Sequence, residues 1–178
     1  MYFRKQLSLI SFAFIPIVSL LDPTWLKFLG CQPYWPLFWL LPWSMIYGSI
    51  NGFKVGLFLG FILDAISPDS SFSQIPGLAL CGIWFGRFNP LNNLLVAHLR
   101  YGLICSLGSF FCGTLYFAQI LVKNVPEFSF LLYFPGIKNI LAQVFVTGLF
   151  APLFCSWLLI LFKNDKESKI LMNYNRKL

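Results

Sequence analysis

Residues 48–64 read GSINGFKVGLFLGFILD, and this stretch decides how we interpret the rest of the chain. Within it, a glycine or an aspartate stands at every fourth position: Gly48, Gly52, Gly56, Gly60 and Asp64. Side chains four residues apart lie on one ridge of a helix. In lipid, close packing at small residues is a main source of helix association. We therefore predict a membrane helix whose glycine groove (Gly52, Gly56 and Gly60) ends in a carboxylate.

The composition assigns the chain to the membrane proteins. Of its 178 residues, 58% are hydrophobic, 19% are aromatic and only 11% are charged, whereas a soluble domain carries about 25% charged residues. The net charge is +7, but the basic residues stand at the ends of apolar runs, which is the pattern of membrane topology. We expect the lipid bilayer to be the main solvent, and we expect no nucleic-acid partner.

The apolar runs predict an all-α fold. It is a polytopic integral membrane bundle of about six transmembrane helices in residues 1–162, followed by a basic cytoplasmic tail in residues 163–178. The predicted spans are residues 7–21, 34–50, 52–67, 75–88, 101–122 and 139–162. Several of them are shorter than the roughly 20 residues that a full crossing needs. Residues 89–100 are predicted as a loop or a surface helix, and residues 123–138 as a link between spans.

The second and third spans are predicted to form an antiparallel hairpin, because Asn51-Gly52 is a turn signal. The second span carries an aromatic ridge at four-residue spacing: Trp35, Trp39, Trp43 and Tyr47. We hypothesise that this aromatic ridge and the glycine groove are complementary surfaces, within the hairpin or across to a partner. The alternative is that Trp35 and Trp39 mark the membrane interface.

The basic residues set the predicted orientation of the chain. With six spans, one side of the membrane holds both termini and ten of the thirteen basic residues: Arg4, Lys5, Lys54, Arg87, Arg100, Lys163, Lys166, Lys169, Arg176 and Lys177. The other side holds the remaining three and four of the six acids: Lys27, Lys123, Lys138, Asp22, Asp64, Asp69 and Glu127. By the positive-inside rule, we expect both termini in the cytoplasm.

No constellation of residues predicts catalysis, a cofactor or a metal site. His98 is the single histidine, and pairing it with Ser109 would need a membrane cavity that joins the two. The five cysteines are scattered and are expected to serve as small apolar helix residues. Asp64 and Asp69 are expected to be a helix-end acid and a loop acid. The glycines allow two interpretations: packing within this protein alone, or a groove that also receives a partner helix.

An ordered set of residues in the 33–87 half of the chain resembles the rod shape-determining protein MreD family. It begins with P-Y-W from Pro33 and continues with G-F-x-x-G-L-x-x-G-x-x-L-D, which starts at Gly52. It ends with Gly77 and an apolar helix that closes on Gly86-Arg87. The six-span plan with a basic tail is also similar. The second span departs from an average member in its high aromatic and proline content.

The resemblance implies a non-enzymatic component of the cell-elongation machinery in the bacterial inner membrane, which takes part in the regulation of cell shape. Such proteins bind the single-span protein MreC and help couple cytoplasmic MreB filaments to peptidoglycan synthesis, together with other membrane proteins of the elongation complex. We hypothesise that the transmembrane helix of MreC packs against Gly52, Gly56 and Gly60. Asp64 would then lie at the end of this partner interface.

An alternative function is that of the membrane substrate-binding component of a vitamin uptake transporter, which is also a six-helix protein. This alternative predicts a polar-lined pocket on the outer side, near Asp64, Asp69 and Gln74. Few polar residues of the sequence converge there, so the scaffold is the function that we predict. A membrane enzyme is the weakest candidate, because it would need a second ionisable group against Asp64.

Overall fold

The computed structural model of the chain describes residues 31–66, 73–88, 94–123 and 130–175. These residues form five helices: α1 (Trp35–Tyr47), α2 (Ser49–Ile66), α3 (Ile75–Phe85), α4 (Leu94–Lys123) and α5 (Phe130–Asn175). No strand is found among these residues. The predicted all-α class is therefore confirmed for the described part of the chain.

Three helical segments are long and apolar enough to cross a membrane: Ser49–Ile66, His98–Val122 and Gly136–Asn164. They correspond to α2 and to the larger parts of α4 and α5. The 11 residues of α3 make a helix about 16 Å long at 1.5 Å per residue, about half of a 30 Å hydrocarbon core. The described residues thus form a helical membrane protein with three candidate spans, and the predicted count of six is not confirmed. The predicted first span, residues 7–21, lies outside the described residues.

The turn between α1 and α2 is at Gly48, and the prediction that Asn51-Gly52 forms this turn is wrong. Both residues lie inside α2, where the Asn51 side-chain amide donates a hydrogen bond to the Tyr47 carbonyl at 3.0 Å. Gly48 instead has a φ of 89°, which only glycine adopts without a Cβ penalty. A single residue therefore reverses the chain, and the second predicted span ends at Tyr47 rather than at residue 50.

The helices α4 and α5 extend beyond the predicted spans. The helix α4 begins at Leu94, so the end of the predicted loop 89–100 is helical. The helix α5 has 46 residues and takes in the end of the predicted link 123–138 and most of the predicted tail 163–178. Hydropathy indicates where a helix can lie in lipid, but Lys, Glu, Leu and Met all favour helix in water as well. The backbone hydrogen bonds of the helix therefore continue beyond the apolar run.

Consecutive helices run in opposite directions. Gly52 of α2 faces Gly82 of α3, and Gly60 of α2 faces Ile75 of α3. The late part of α2 thus lies beside the early part of α3. The same alternation follows from the close pairs Gly77–Cys112 and Gly108–Phe85 (α3 with α4), and Gly102–Gly148 and Gly113–Ile140 (α4 with α5).

The bundle therefore has two ends, which we name the Gly48 end and the Asp64 end. The α1–α2 turn lies at the Gly48 end, and the start of α3 lies at the Asp64 end. The helix α1 runs parallel to α5: the Tyr34 N–H donates to the Thr147 hydroxyl at 3.0 Å, and Trp43 packs on Phe162 nearer the other end, with ring centroids 5.4 Å apart. It follows that α1 begins at the Asp64 end.

The helix α1 is the centre of the bundle. Eleven of its 13 residues are buried, and it contacts each of the other four helices. A helix that is apolar on all sides is expected to be surrounded by other elements. Its unusual tryptophan and proline content therefore faces protein rather than lipid.

The aromatic ridge packs against α5, and the hypothesis that it fits the glycine groove is wrong. Trp39 and Trp43 stack on each other at 4.9 Å between centroids, and both meet the edge of Phe162. The ring centroids of Trp35 and of Phe154 in α5 are 5.5 Å apart. Trp35 and Trp39 are 7% and 3% exposed, so they do not mark the membrane interface either. T-shaped and offset aromatic pairs of this kind add about 0.5–1.5 kcal/mol each beyond area burial.

Candidate functional site

The glycine groove is filled by α3. A Cβ atom added at Gly52, Gly56 or Gly60 would lie closer than 3.0 Å to backbone atoms of α3, a separation that real Cβ atoms essentially never show. The contact is reciprocal, because a Cβ at Gly82 would meet the backbone of Gly52. The missing side chains let two backbones touch, as small residues do between membrane helices. Packing within the protein thus accounts for the glycines, and a partner helix at the same face would have to displace α3.

Asp64 joins the end of α2 to the start of α3. Its carboxylate accepts a hydrogen bond from the Ser73 hydroxyl at 2.7 Å and another from the Gln74 N–H at 2.8 Å. These two residues immediately precede α3, where free N–H groups and the helix dipole favour a negative charge. The carboxylate of one helix therefore caps the next one. Asp64 has a structural role that explains a carboxylate near the membrane.

Two further side chains extend this network across the Asp64 end. The Tyr34 hydroxyl donates to the Gln74 side-chain carbonyl at 2.9 Å. The Gln119 amide forms two hydrogen bonds with the Ser73 backbone, accepting from its N–H and donating to its carbonyl, both at 2.9 Å. The start of α1, the end of α2, the start of α3 and the late part of α4 are joined in this way. Asp69, which the sequence analysis also placed here, lies outside the described residues.

A cavity of about 390 Å³ lies beside this network. Such a volume falls in the range of about 300–1,000 Å³ that is typical of small-molecule sites. Its polar lining comes from the start of α1, the start of α3, α4 and α5: Tyr34, Ser73, Gln74, Ser109, Asn139 and Gln143. Aromatic and aliphatic side chains of α4 complete the wall, among them Tyr116 and Phe117. A polar-lined pocket near Gln74 is thus present, although Asp64 itself is not among the residues that line it.

Ser109 is the most unusual residue of the cavity wall. It is 1% exposed, and its hydroxyl has no hydrogen-bond partner. The buried Ser44 and Thr147 instead donate to the carbonyl four residues earlier, at 2.7 and 2.6 Å. A pairing of Ser109 with His98 does not form, because eleven residues of one helix separate them by about 16 Å. The Ser109 hydroxyl is therefore not used by its own helix or by the histidine.

The sequence analysis gave a polar-lined pocket near Gln74 only as part of the alternative function and missed the lining residues of α4 and α5, although a signal was present. Gln143 and Thr147 stand at i and i+4 in a predicted span, and Ser109 stands in another. Polar residues inside membrane spans are uncommon and often functional. Each looked isolated in the sequence. Only the packing of α4 against α5 shows that Ser109 and Gln143 line one space.

The buried cysteines form two close pairs that the sequence did not predict. The sulfur atoms of Cys81 and Cys112 are 3.5 Å apart, and those of Cys105 and Cys155 are 3.7 Å apart. All four are free thiols. Each pair joins two helices, α3 with α4 and α4 with α5. Small apolar residues at these positions allow the helices to approach closely.

In the described part of the chain, these contacts define a helical membrane protein with a glycine-packed hairpin and a polar-lined cavity at one end. No family model, no curated protein and no solved structure matches this chain. The resemblance to the MreD family therefore rests on the residues quoted above. The function is argued below from those residues and from the geometry.

Proposed function

We propose that this chain is a non-enzymatic membrane scaffold of the bacterial cell-elongation machinery, as its resemblance to the MreD family implies. In this role it binds MreC, helps couple MreB filaments to peptidoglycan synthesis and takes part in the regulation of cell shape. One observation carries the proposal: the residues that make up the resemblance lie together in a single packed unit. That unit is formed by the start of α1 and by the α2–α3 hairpin.

Each part of the motif has a contact in this unit that depends on the type of residue. Tyr34 bonds to Gln74, and Asp64 bonds to the two residues before α3. A Cβ at Gly86 would meet the backbone of Ser49, so the hairpin is closed at the Gly48 end as well. An ordered set of residues that specifies one compact unit supports a shared fold more strongly than scattered glycines would.

The face of α2 that points away from α3 is the proposed partner surface. It presents large apolar side chains that are well exposed: Ile50, Phe53, Leu57, Phe58 and Phe61. Because α3 already occupies the glycine groove, a helix from MreC has room here without disturbing the hairpin. An apolar helix of the partner suits this surface, since in lipid it can pack against the aromatic side chains along the whole of α2. We name this surface the outer α2 face.

The distribution of charge supports the proposed orientation in the bacterial inner membrane. At the Gly48 end, the described chain carries Lys54, Arg87, Arg100 and Lys163. The Asp64 end carries Asp64 together with two basic residues, Lys123 and Lys138. An excess of Lys and Arg favours the cytoplasmic side, so we place the Gly48 end in the cytoplasm, with both termini on that side.

Alanine substitution on the outer α2 face tests the scaffold. Phe58 and Phe61 are 54% and 63% exposed, and Leu149 and Leu153 on α5 form a control pair of similar exposure, 58% and 68%. We expect the double change F58A/F61A to lower co-purification of MreC at least tenfold and the double change L149A/L153A to leave it unchanged. Both variants are compared for membrane insertion and for restoration of rod shape in cells lacking the protein. Equal MreC recovery from the two variants would refute the outer α2 face as the partner surface.

A second function, that of the substrate-binding component of a vitamin uptake transporter, is favoured by one specific observation. This is the polar-lined cavity of about 390 Å³ near Gln74, which a scaffold does not require. A small molecule that stays bound through purification from native membranes, and is released on denaturation, would support this function. Rod shape restored by a variant that no longer retains that molecule would favour the scaffold instead.

A further inference from the structure

An open groove of about 480 Å³ lies between α3 and α4. We name it the α3–α4 groove. Its lining is almost entirely apolar, and four of the large side chains in it are 42–55% exposed: Leu80, Leu107, Phe110 and Phe111. A continuous exposed apolar surface marks a site of contact with a membrane or a partner. This groove therefore opens toward whatever surrounds the bundle.

Small residues at the contact of α3 with α4 produce the groove. The sulfur atom of Cys81 lies 3.7 Å from the Gly108 carbonyl oxygen and 3.5 Å from the sulfur atom of Cys112. The two helices thus approach each other at residues that lack bulky side chains. Cys81 is only 1% exposed, so it lies beneath the larger side chains that stand on both sides. The shape of the groove follows from the packing of the helices.

The groove runs from the Gly48 end toward the middle of the bundle. Arg87 follows the last residue of α3 and lies at the Gly48 end, whereas Leu80 lies in the middle of α3. On the antiparallel α4, Leu107 lies toward the same end, and Phe111 lies about one helical turn farther from it. The groove therefore has a charged mouth at the end of the bundle and an apolar interior.

The mouth of the groove is basic. Arg87 is exposed, and it is the one charged side chain among the described residues that line the groove. Arg100 lies at the same end: its guanidinium carbon is 5.3 Å from the ring centroid of Phe88. Phe88 in turn packs on Trp84 of the groove, with ring centroids 5.4 Å apart. Guanidinium groups bind phosphate well, so the mouth favours an anion.

We propose that the α3–α4 groove binds an anionic phospholipid of the bilayer, with its phosphate at Arg87 and an acyl chain between α3 and α4. A phospholipid has the same arrangement as the groove, since its charge lies at the membrane surface and its hydrocarbon lies below. Basic pockets between membrane helices recognise anionic headgroups. A zwitterionic headgroup would bring a second positive charge to the basic mouth. This goes beyond the scaffold proposal and does not depend on it.

Phosphatidylglycerol and phosphatidylethanolamine with identical acyl chains form a matched pair of probes, because the first is anionic and the second zwitterionic. The full chain in detergent is mixed with equal amounts of both, and native mass spectrometry counts the protein molecules that carry one lipid. We expect phosphatidylglycerol on at least five times as many molecules as phosphatidylethanolamine. Equal binding, or no retained lipid on the folded chain, would overturn the proposal; the second result would leave the groove to another occupant, such as the predicted first span, residues 7–21.

Arg87→Gln tests the contact with the headgroup, and Lys54→Gln is its control. Both residues are exposed and stand at the Gly48 end, but Lys54 does not line the groove. One basic side chain beside an anionic lipid contributes about 1 kcal/mol, which is about fivefold in binding. We expect Arg87→Gln to lower the ratio of phosphatidylglycerol to phosphatidylethanolamine about fivefold and Lys54→Gln to leave it unchanged. An equal fall in both variants, or no fall in Arg87→Gln, would refute the proposal.

Leu107→Trp tests the contact with the acyl chain by filling the groove, and Leu103→Trp is its control. The two leucines of α4 are 55% and 65% exposed, but Leu103 does not line the groove. We expect Leu107→Trp to reduce the lipid-bound fraction at least threefold and Leu103→Trp to leave it unchanged. Thermal unfolding checks that each variant is folded. Unchanged phosphatidylglycerol binding in folded Leu107→Trp would mean that charge alone holds the lipid, and would refute the groove as its site.

Discussion

The substitution Gly56→Ala tests how closely α2 and α3 pack against each other. A Cβ there would lie closer than 3.0 Å to the carbonyl group of Leu78. This obstacle is backbone, so it cannot rotate away, and the two helices must move apart. Overpacking of this kind is destabilising by about 1–3 kcal/mol, while replacing glycine by alanine within a helix is stabilising by about 1 kcal/mol. We expect a net loss of about 1–2 kcal/mol in the free energy of unfolding, since a rigid obstacle favours the upper part of the first range.

Gly113→Ala is the matched control. A Cβ at Gly113 would lie 3.0 Å from the Cγ2 methyl of Ile140, a side-chain atom that needs to move by only a few tenths of an ångström. The helix preference of alanine then dominates, and we expect no loss or a gain of up to about 1 kcal/mol. The two variants thus make one chemical change in a membrane helix but meet different neighbours. The difference between them isolates the backbone contact of α2 with α3.

The assay is thermal unfolding in one detergent, followed by a dye that reacts with thiols. Four cysteines are buried and become reactive when the bundle opens. A loss of 1–2 kcal/mol corresponds to a Tm about 2–8 °C lower for a chain of this size. A Gly56→Ala variant that unfolds at the wild-type Tm would refute the packing of α3 in the glycine groove. If that stable variant also failed to recover MreC, the hypothesis of a partner helix at Gly52, Gly56 and Gly60 would be supported instead.

Two further predictions concern contacts between helices. In Asp64→Asn one oxygen can still accept one of the two hydrogen bonds, but an NH2 group replaces the other acceptor and the charge is lost. We therefore expect the free energy of unfolding to fall by about 1–2 kcal/mol in the same thermal assay, and no change would mean that the cap of α3 is not formed. Mild oxidation with copper phenanthroline is expected to join Cys81 and Cys112, whose sulfur atoms are 3.5 Å apart, because little movement brings them to bonding distance. Mass spectrometry after alkylation and proteolysis detects the linked peptides, and a link of Cys81 to any other cysteine instead would contradict the pairing of α3 with α4.

The sequence predicted the class of the protein and the place of the close helix contact. Composition alone indicated a helical membrane protein, because an 11% share of charged residues cannot cover a surface in water. The four-residue spacing of Gly52, Gly56 and Gly60 correctly located a surface where another helix packs closely. It could not identify that helix, because a row of glycines has the same pattern whether its neighbour is α3 or a foreign chain.

The errors of the sequence analysis also have physical causes. Asn51-Gly52 is a good turn signal, but Gly48 precedes it by one helical turn and can adopt positive φ as well. Trp35 and Trp39 are typical of the membrane interface, and only the position of α1 at the centre of the bundle shows why they are buried. Spacing describes one helix at a time. Which helices become neighbours, and where a cavity forms between them, depends on distances between helices that the pattern of a single helix does not contain.

The two proposals place a partner and a small molecule on different parts of one bundle. The outer α2 face lies on a helix that contributes no residue to the described lining of the cavity. Asp64 nevertheless connects them, because it lies in the last turn of α2 and accepts a hydrogen bond from the N–H of Gln74, which lines the cavity. Variants on the outer α2 face should therefore lose MreC and keep any small molecule retained in the cavity, and Gln143→Ala in the lining should do the reverse. Asp64→Asn disturbs the hydrogen bond that joins α2 to the lining residue Gln74. A change in retention of a cavity-bound molecule on MreC binding that disappears in Asp64→Asn would show that the two parts communicate through this carboxylate.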